Sequence, residues 1–285
     1  QRLSESRVTV VGAGGLGSAT LNYLAAAGVG RLRIVENDTV SLSNLQRQIL
    51  YTTADLDAPK AEVAAARLSR LNPACRIEIR TDRLDGGNAD EILSDCDVVV
   101  DCTDNYATRY AIDDFCSARR IPMVYGTAEQ IGGQVSVFNT AGAGSYRSLY
   151  PEQPVQQPIV GVLSPIVGVI GSLQALETIK LLAGIGDGLA GRLVTTAGRT
   201  NRIYTSQTRR AMFDISRQRG TVREQLRIAD LMSLTPKGKR VLEIGARDCY
   251  LSRKLTALYL EVGARDLTKR EMDAPGITAV QGDVT

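Results

Sequence analysis

The chain has 285 residues, 44% hydrophobic and 23% charged, the balance of a globular protein of one large or two ordinary domains. Its net charge of +3 is too small to argue for nucleic acid or an anionic membrane as partner, and the sequence reads as having no apolar run near the roughly 20 residues of a membrane span. With no histidine, Ser-His-Asp and Cys-His chemistry and His-ligated metal are excluded within these residues, and five scattered cysteines without a CxxC pair point to a reducing cytoplasm.

The first 125 residues alternate strand and helix. Buried strands are expected at 7–11, 31–36, 76–80, 97–101 and 121–125, with helices at 16–27, 60–71 (Pro59 in its first turn) and 105–118. Strands spaced by helices imply a parallel, doubly wound Rossmann-like sheet with right-handed crossovers, and a nucleotide site at the carboxyl ends of its strands. After Gly126 the rhythm changes. Residues 133–139 alternate like a half-solvated strand, 145–158 read as a proline-containing loop, 165–183 as a long apolar helix, and 193–196 with 202–205 as an added antiparallel hairpin. The nearest approach to a membrane run, 159–173, is broken by Gly, Ser and Pro. Residues 1–206 thus form one domain, 207–221 a polar linker, and 222–285 a second, truncated Rossmann-like unit with a helix at 222–233, a strand at 240–245, a helix at 250–261, and strands at 261–265 and 277–281. No signal peptide is read, and because the first residue is Gln1 rather than Met a preceding segment is expected.

Chemistry concentrates in two runs. Gly12-Ala13-Gly14-Gly15-Leu16-Gly17 follows an apolar strand and opens a helix, a turn that lets backbone approach phosphate at a helix N-terminus. Alone it marks dinucleotide-binding domains of many kinds, or simply a tight strand–helix junction. Ser43-Asn44-Leu45-Gln46-Arg47-Gln48 then brings an arginine and amide donors to the end of the second strand, which favours ATP over a nicotinamide. Glu36 closes that strand as a ribose acceptor or as a solvated strand end. Arg47 and Lys60 are cations for the charge that develops when a carboxylate attacks an α-phosphate, or simply exposed cations. Asp104 is a magnesium ligand, the N-cap of the next helix, or both.

These motifs, with 38–48, Pro59-Lys60, 101–105 and 167–175 in this order, resemble the MoeB/ThiF family, bacterial relatives of the ubiquitin-activating enzymes, over residues 1–205. The resemblance implies adenylation, with Mg-ATP, of the C-terminal glycine of a ubiquitin-like sulfur carrier ending in Gly-Gly, in thiamine or molybdopterin synthesis. It implies an ATP site lined by Gly12, Gly14, Gly15, Gly17, Glu36, Ser43, Asn44, Leu45, Gln46, Arg47, Lys60, Asp104 and Asn105. Arg47 and Lys60 would face the triphosphate and Asp104 the magnesium. It also implies a homodimer, with 159–170 as apolar surface for it. Three features depart from the family pattern. Ser145-Tyr146-Arg147-Ser148 and the region near Arg209 stand where many members carry zinc-binding CxxC pairs, so no zinc is expected; Gln156-Gln157-Pro158 replaces a cysteine-bearing loop; and the N-terminal segment that lends an arginine to the partner's ATP site is absent.

The second unit, Val241 to Asp248, resembles the first motif of class I S-adenosylmethionine-dependent methyltransferases, which implies cofactor contacts at Glu243, Gly245, Asp266 and Asp283 in a longer chain; otherwise it is an accessory α/β piece. Two competing readings of the whole remain at this level: an NAD-dependent oxidoreductase, which leaves Arg47, Lys60 and Asp104 without a task, and a non-catalytic nucleotide- or carrier-binding module.

Overall fold

In the computed structural model, the described residues are 2–140, 143–153, 161–198 and 202–207, together with strands 240–243, 261–265 and 277–280. The chain divides into two units, Gln1–Arg223 and Glu224–Thr285.

The first unit is built on an eight-stranded sheet. In chain order its elements are α1 (Arg2–Glu5), β1 (Arg7–Val11), α2 (Gly15–Ala26), β2 (Arg31–Val35), α3 (Lys60–Leu71), β3 (Arg76–Arg80), α4 (Ala89–Leu93), β4 (Val98–Asp101), α5 (Tyr106–Arg119), β5 (Met123–Glu129), β6 (Gly132–Phe138), α6 (Tyr146–Leu149), α7 (Ser164–Ala183), β7 (Arg192–Ala197) and β8 (Arg202–Gln207). The strand order is β3-β2-β1-β4-β5-β6-β7-β8. The five strands from β3 to β5 run parallel and the last three pair antiparallel. Strand order reverses between β1 and β4, the place where doubly wound sheets form a ligand crevice at the strands' carboxyl ends.

Side-chain alternation sorts the core into two layers. Val8 and Val10 of β1, Val98 and Val100 of β4 and Val124 of β5 face one cluster with Leu21, Leu24 and Ile170. Val11, Val99, Met123 and Tyr125 face the other, with Ile112, Phe115 and Tyr146.

Several boundaries move for physical reasons. Strand β2 stops at Val35, because Glu36 turns its carboxylate back onto backbone amides. Strand β5 continues to Glu129, since the hairpin into β6 pairs Glu129 with Gly132 across a turn with Gln130 at φ 52°. Short helices α4 and α6 lie in segments without a helical pattern. Strand β8 includes Gln207; the linker 208–221 and the helix read at 222–233 lie outside the described residues.

Helix α7 corrects the membrane reading: its 20 residues are long and apolar enough to cross a bilayer by length and composition. In this fold that apolarity serves packing. A Cβ on Gly171 would stand 2.4 Å from Leu16 O, so α7 crosses α2 almost backbone to backbone, and the Thr20 hydroxyl donates to Gly171 O at 3.0 Å.

The second unit contributes a three-stranded parallel sheet, β9 (Arg240–Glu243), β10 (Glu261–Arg265) and β11 (Ile277–Val280), in the order β11-β10-β9. Glu243 is the last residue of β9, while Gly245, Asp266, Asp283 and the helix read at 250–261 lie outside the described residues.

Candidate nucleotide site

The glycine turn is made by space. Gly12 sits at φ +93°, and a Cβ there would stand 2.8 Å from Cys102 O at the end of β4. A Cβ on Gly17 would meet Gly12 O at 2.1 Å, so only glycine lets α2 start this close to β1. The peptide between them is clamped on both sides: Ala13 N donates to Glu36 Oε2 at 2.8 Å, and the Tyr51 hydroxyl donates to Ala13 O at 2.8 Å. Burial, and next the Glu36 charge, push the Tyr51 phenol up, so it stays a donor. Gly14 caps α2 without a side-chain bond, leaving first-turn N–H groups and the positive dipole end facing the crevice.

Arg47 and Gln48 come to this turn from the loop after β2. The Arg47 Cγ lies 3.4 Å from where a Cβ on Gly15 would be, beside Val167 of α7, and Gln48 Nε2 lies 3.5 Å from the same point on Gly14. Arg47 is half-buried, and among the described residues its guanidinium makes one long contact, 3.4 Å, to Ser43 O. Ser43 and Gln46 are exposed on this loop, Asn44 is half-buried, and Leu45 packs against the core.

Lys60 is not an exposed cation. It is 3% exposed, and its Nζ donates to Asp38 Oδ2 at 3.1 Å, while the Asp38 side chain itself is 65% exposed. Asp38 N and Asn37 N both donate to Glu36 Oε1 at 2.9 Å. Glu36 therefore ties the glycine turn to the segment that holds the lysine. Its carboxylate serves as an acceptor of backbone N–H groups rather than as a bare strand end.

At the end of β4, Asn105 rather than Asp104 caps α5, accepting from Thr108 N at 2.9 Å. That leaves Asp104 an exposed carboxylate one residue past Thr103, whose N lies 3.4 Å from the Gly12 Cβ position. This loop is braced from below. The fully buried Asp101 takes Arg109 Nε at 2.7 Å and the Thr103 N and hydroxyl at 3.0 and 2.6 Å, while Arg109 Nη2 donates to Thr103 O at 2.8 Å. Burial opposes the Arg109 charge, but Asp101 and the rings of Tyr125 and Tyr146 outweigh it and raise its pKa. Gln174 of α7 donates to Asp101 O at 2.6 Å and fills the space a Cβ on Gly126 would need. Cys102 donates to Gln174 Oε1 at 3.5 Å, and burial pushes its thiol up, so it is a packing residue and not a nucleophile.

The 145–148 segment is a turn held by hydrogen bonds. Ser145 Oγ accepts from Ser148 N at 3.1 Å, and the buried Asp113 accepts from Tyr146 N, Arg147 N and Asn139 Nδ2 at 2.8, 2.9 and 3.0 Å. Among the described residues no cluster of three or more Cys, Asp or Glu side chains is arranged to hold a metal.

The structure thus brings Gly12, Gly14, Gly15, Gly17, Glu36 and Arg47 together directly, and Lys60 through Asp38. Asp104 and Asn105 stand at the neighbouring strand end. Sequence reasoning missed Asp38, Tyr51, Arg109 and Gln174, and read Gln48 only as an amide donor within its run.

A family model described as the ThiF family matches residues 1–214. The sulfur carrier protein ThiS adenylyltransferase of Escherichia coli is 44% identical over 217 residues, which cover 74% of this chain and 85% of that protein. The adenylyltransferase and sulfurtransferase MOCS3 of Drosophila willistoni is 44% identical over 215 residues, 73% of this chain, and the chain spans only 47% of its length. Among solved structures, E. coli MccB with ATP superposes with a TM-score of 0.66 at 18% identity over 73% of this chain and 65% of that one, a likeness of fold.

Proposed function

The chain belongs to the ThiF family, and on that premise we propose that it is an adenylyltransferase that activates the C-terminal glycine of a ubiquitin-like sulfur carrier for cofactor biosynthesis. Relatives named for that reaction, on ThiS and on molybdopterin synthase, support the reading. The observation that carries it is Arg47 lying over Gly15 at the start of α2, a cation where a phosphate chain would meet helix N–H groups. A dehydrogenase leaves that cation, Lys60 and Asp104 without a task.

ATP is the substrate of this reading. The residues present fit it: a glycine turn in which a Cβ on Gly12 or Gly17 would meet backbone, a helix N-terminus, and two cations nearby. A carrier carboxylate oxygen attacks the α-phosphorus, the bond to the bridging oxygen breaks, and pyrophosphate leaves with the electron pair. Arg47 and Lys60 balance the growing charge, Lys60 being drawn off Asp38 or shared with it. Glu36 keeps the turn in place and offers its Oε2 to ribose hydroxyls. Asp104, exposed and not used as a cap, supplies a hard oxygen ligand for magnesium, with Asn105 beside it. Bound magnesium would neutralise charge on the phosphates. Ser43, Asn44, Leu45 and Gln46 form the loop that closes on this side.

Carrier-dependent exchange of pyrophosphate into ATP is the test. Its absence with any carrier ending in Gly-Gly would leave a non-catalytic binding module. The same reading takes the chain as a cytoplasmic, zinc-free homodimer. The exposed Leu163, Val169 and Leu176 on and beside α7 support apolar association. Light scattering and elemental analysis test these two points. The parallel order of β9, β10 and β11 supports reading the second unit as the start of a methyltransferase-like domain. Weak or no S-adenosylmethionine binding is expected by calorimetry.

A further inference from the structure

We propose that Tyr51 is a positioning residue: its hydroxyl sets which way the Ala13–Gly14 peptide faces, and so whether Gly14 N–H is offered to the bound nucleotide. The inference rests on the ATP reading above. Tyr51 is 4% exposed and packs in the same core cluster as Val8 and Val10. Its own place is fixed: its N donates to Gln48 O at 3.1 Å, and the neighbouring Leu50 O accepts from Arg67 of α3. Burial keeps the phenol protonated, so the group is a permanent donor.

The glycine turn has one loose joint. Ala13 N, in the peptide before it, is tied to Glu36 Oε2 at 2.8 Å. Gly14 stands at φ −78°, which any residue adopts, and a Cβ there would meet nothing nearer than Gln48 Nε2 at an ordinary 3.5 Å. Neither backbone nor space therefore calls for glycine in this state. What glycine adds is a second state. A half-turn of the Ala13–Gly14 peptide changes only Ala13 ψ and Gly14 φ, carrying the latter from −78° to roughly +100°, a region open to glycine and costly to other residues.

The C=O and N–H of a trans peptide point opposite ways. The Tyr51 hydroxyl donates to Ala13 O at 2.8 Å, which turns Gly14 N–H away from the buried tyrosine, and Gly14 N meets no acceptor among the described residues. Gly14 itself is half-buried at the start of α2. The flipped peptide would set the Ala13 carbonyl oxygen where that N–H stands, an acceptor facing phosphate oxygens that only accept. One neutral hydrogen bond thus selects between a donor and a repelling oxygen at the same spot, without Tyr51 touching the ligand.

Binding of ATP and of adenosine to the full chain by calorimetry, with thermal unfolding alongside, tests this in wild type and Tyr51→Phe, which keeps the ring and removes the hydroxyl. We expect Tyr51→Phe to bind ATP about three- to tenfold more weakly, the range one neutral hydrogen bond sets on the competent fraction. Adenosine, which has no phosphate, should bind with unchanged affinity. ATP affinity within about twofold of wild type in the folded variant overturns the proposal. So does an equal loss for both ligands, the mark of a tyrosine that only supports the fold. Should Tyr51→Phe fail to fold, the wild-type chain labelled with 15N-glycine decides: ATP should move the Gly14 amide proton downfield and adenosine should not, and a Gly14 amide unmoved by ATP overturns the proposal. A wild-type chain that does not bind ATP removes the underlying reading first, and this inference with it.

Discussion

Replacing Arg109 by methionine should be among the most damaging single changes outside the glycine turn. Methionine keeps an unbranched stem but removes the guanidinium, which lies over the rings of Tyr125 and Tyr146. Asp101, with no exposed surface, then keeps the Thr103 N–H and hydroxyl and loses the one cation it pairs with among the described residues, while Thr103 O loses a 2.8 Å bond. Removing one partner of a buried pair costs about 3–5 kcal/mol, against a total stability of roughly 5–15 kcal/mol for a domain. With both side chains under 5% exposed, no discount for solvent applies, so we expect a value of about 4 kcal/mol, the middle of that range. Asp101→Asn combined with Arg109→Met should recover a large part, because no charge stays buried. Urea unfolding followed by circular dichroism measures all three variants. The folded fraction of Arg109→Met should also need more magnesium for half-maximal exchange, since Thr103 positions Asp104. A loss below about 1 kcal/mol in the single variant, or a double variant no better than the single, would refute the argument that this pair braces the loop.

Arg47→Ala and Asp104→Ala should each lower pyrophosphate exchange by about 10²–10³ with unfolding midpoints little changed, because both act on charge that develops during transfer. Unaltered exchange in either sinks that residue's role. The four described cysteines should resist alkylation in the native chain at pH 8: burial pushes Cys75 and Cys96 up to about 11, and Cys102 and Cys116 higher, so about one thiol in a thousand or fewer is ionised. Mass spectrometry locating label on any of them without denaturant would contradict this. On the acid side, the hydrogen bond from Arg7 holds the Asp97 carboxyl below its usual range, and Arg31 does the same for Asp95. A lowered folded pKa gives stability that is fully present above the unfolded value, about 3.9, and is lost as pH falls through the folded values. Asp97→Asn should therefore flatten the acid limb of stability between pH 5 and 2, and an unchanged limb would count against the pairing.

Much of the sheet was legible because buried parallel strands read as unbroken apolar runs, as in Val8 to Val11 and Val98 to Val100, with glycines and Pro59 marking where helices start. The boundaries of α3 and β3 fell where the pattern put them. Helix α6 did not, because its four residues are held by Asp113, some 33 positions earlier in the chain. Within the site, residue types that touch phosphate are visible as motifs, but their supports are long-range. Nothing near Lys60 announces that Asp38, 22 residues away, is its partner, and Gln174 reads as one more polar position on a helix until its amide is found against Asp101 O, 73 residues off. Leu45 sits inside a polar motif and turned to the core instead. Asp104 looked like a cap by type, and the adjacent Asn105 took that job by geometry.

The Asp113 clamp has a practical corollary. Asn139 and the Tyr146–Arg147 turn are fastened to one carboxylate through three hydrogen bonds. A single exchange of oxygen for nitrogen, Asp113→Asn, would set an NH2 donor among these three donors and leave the Tyr146–Arg147 turn without its anchor.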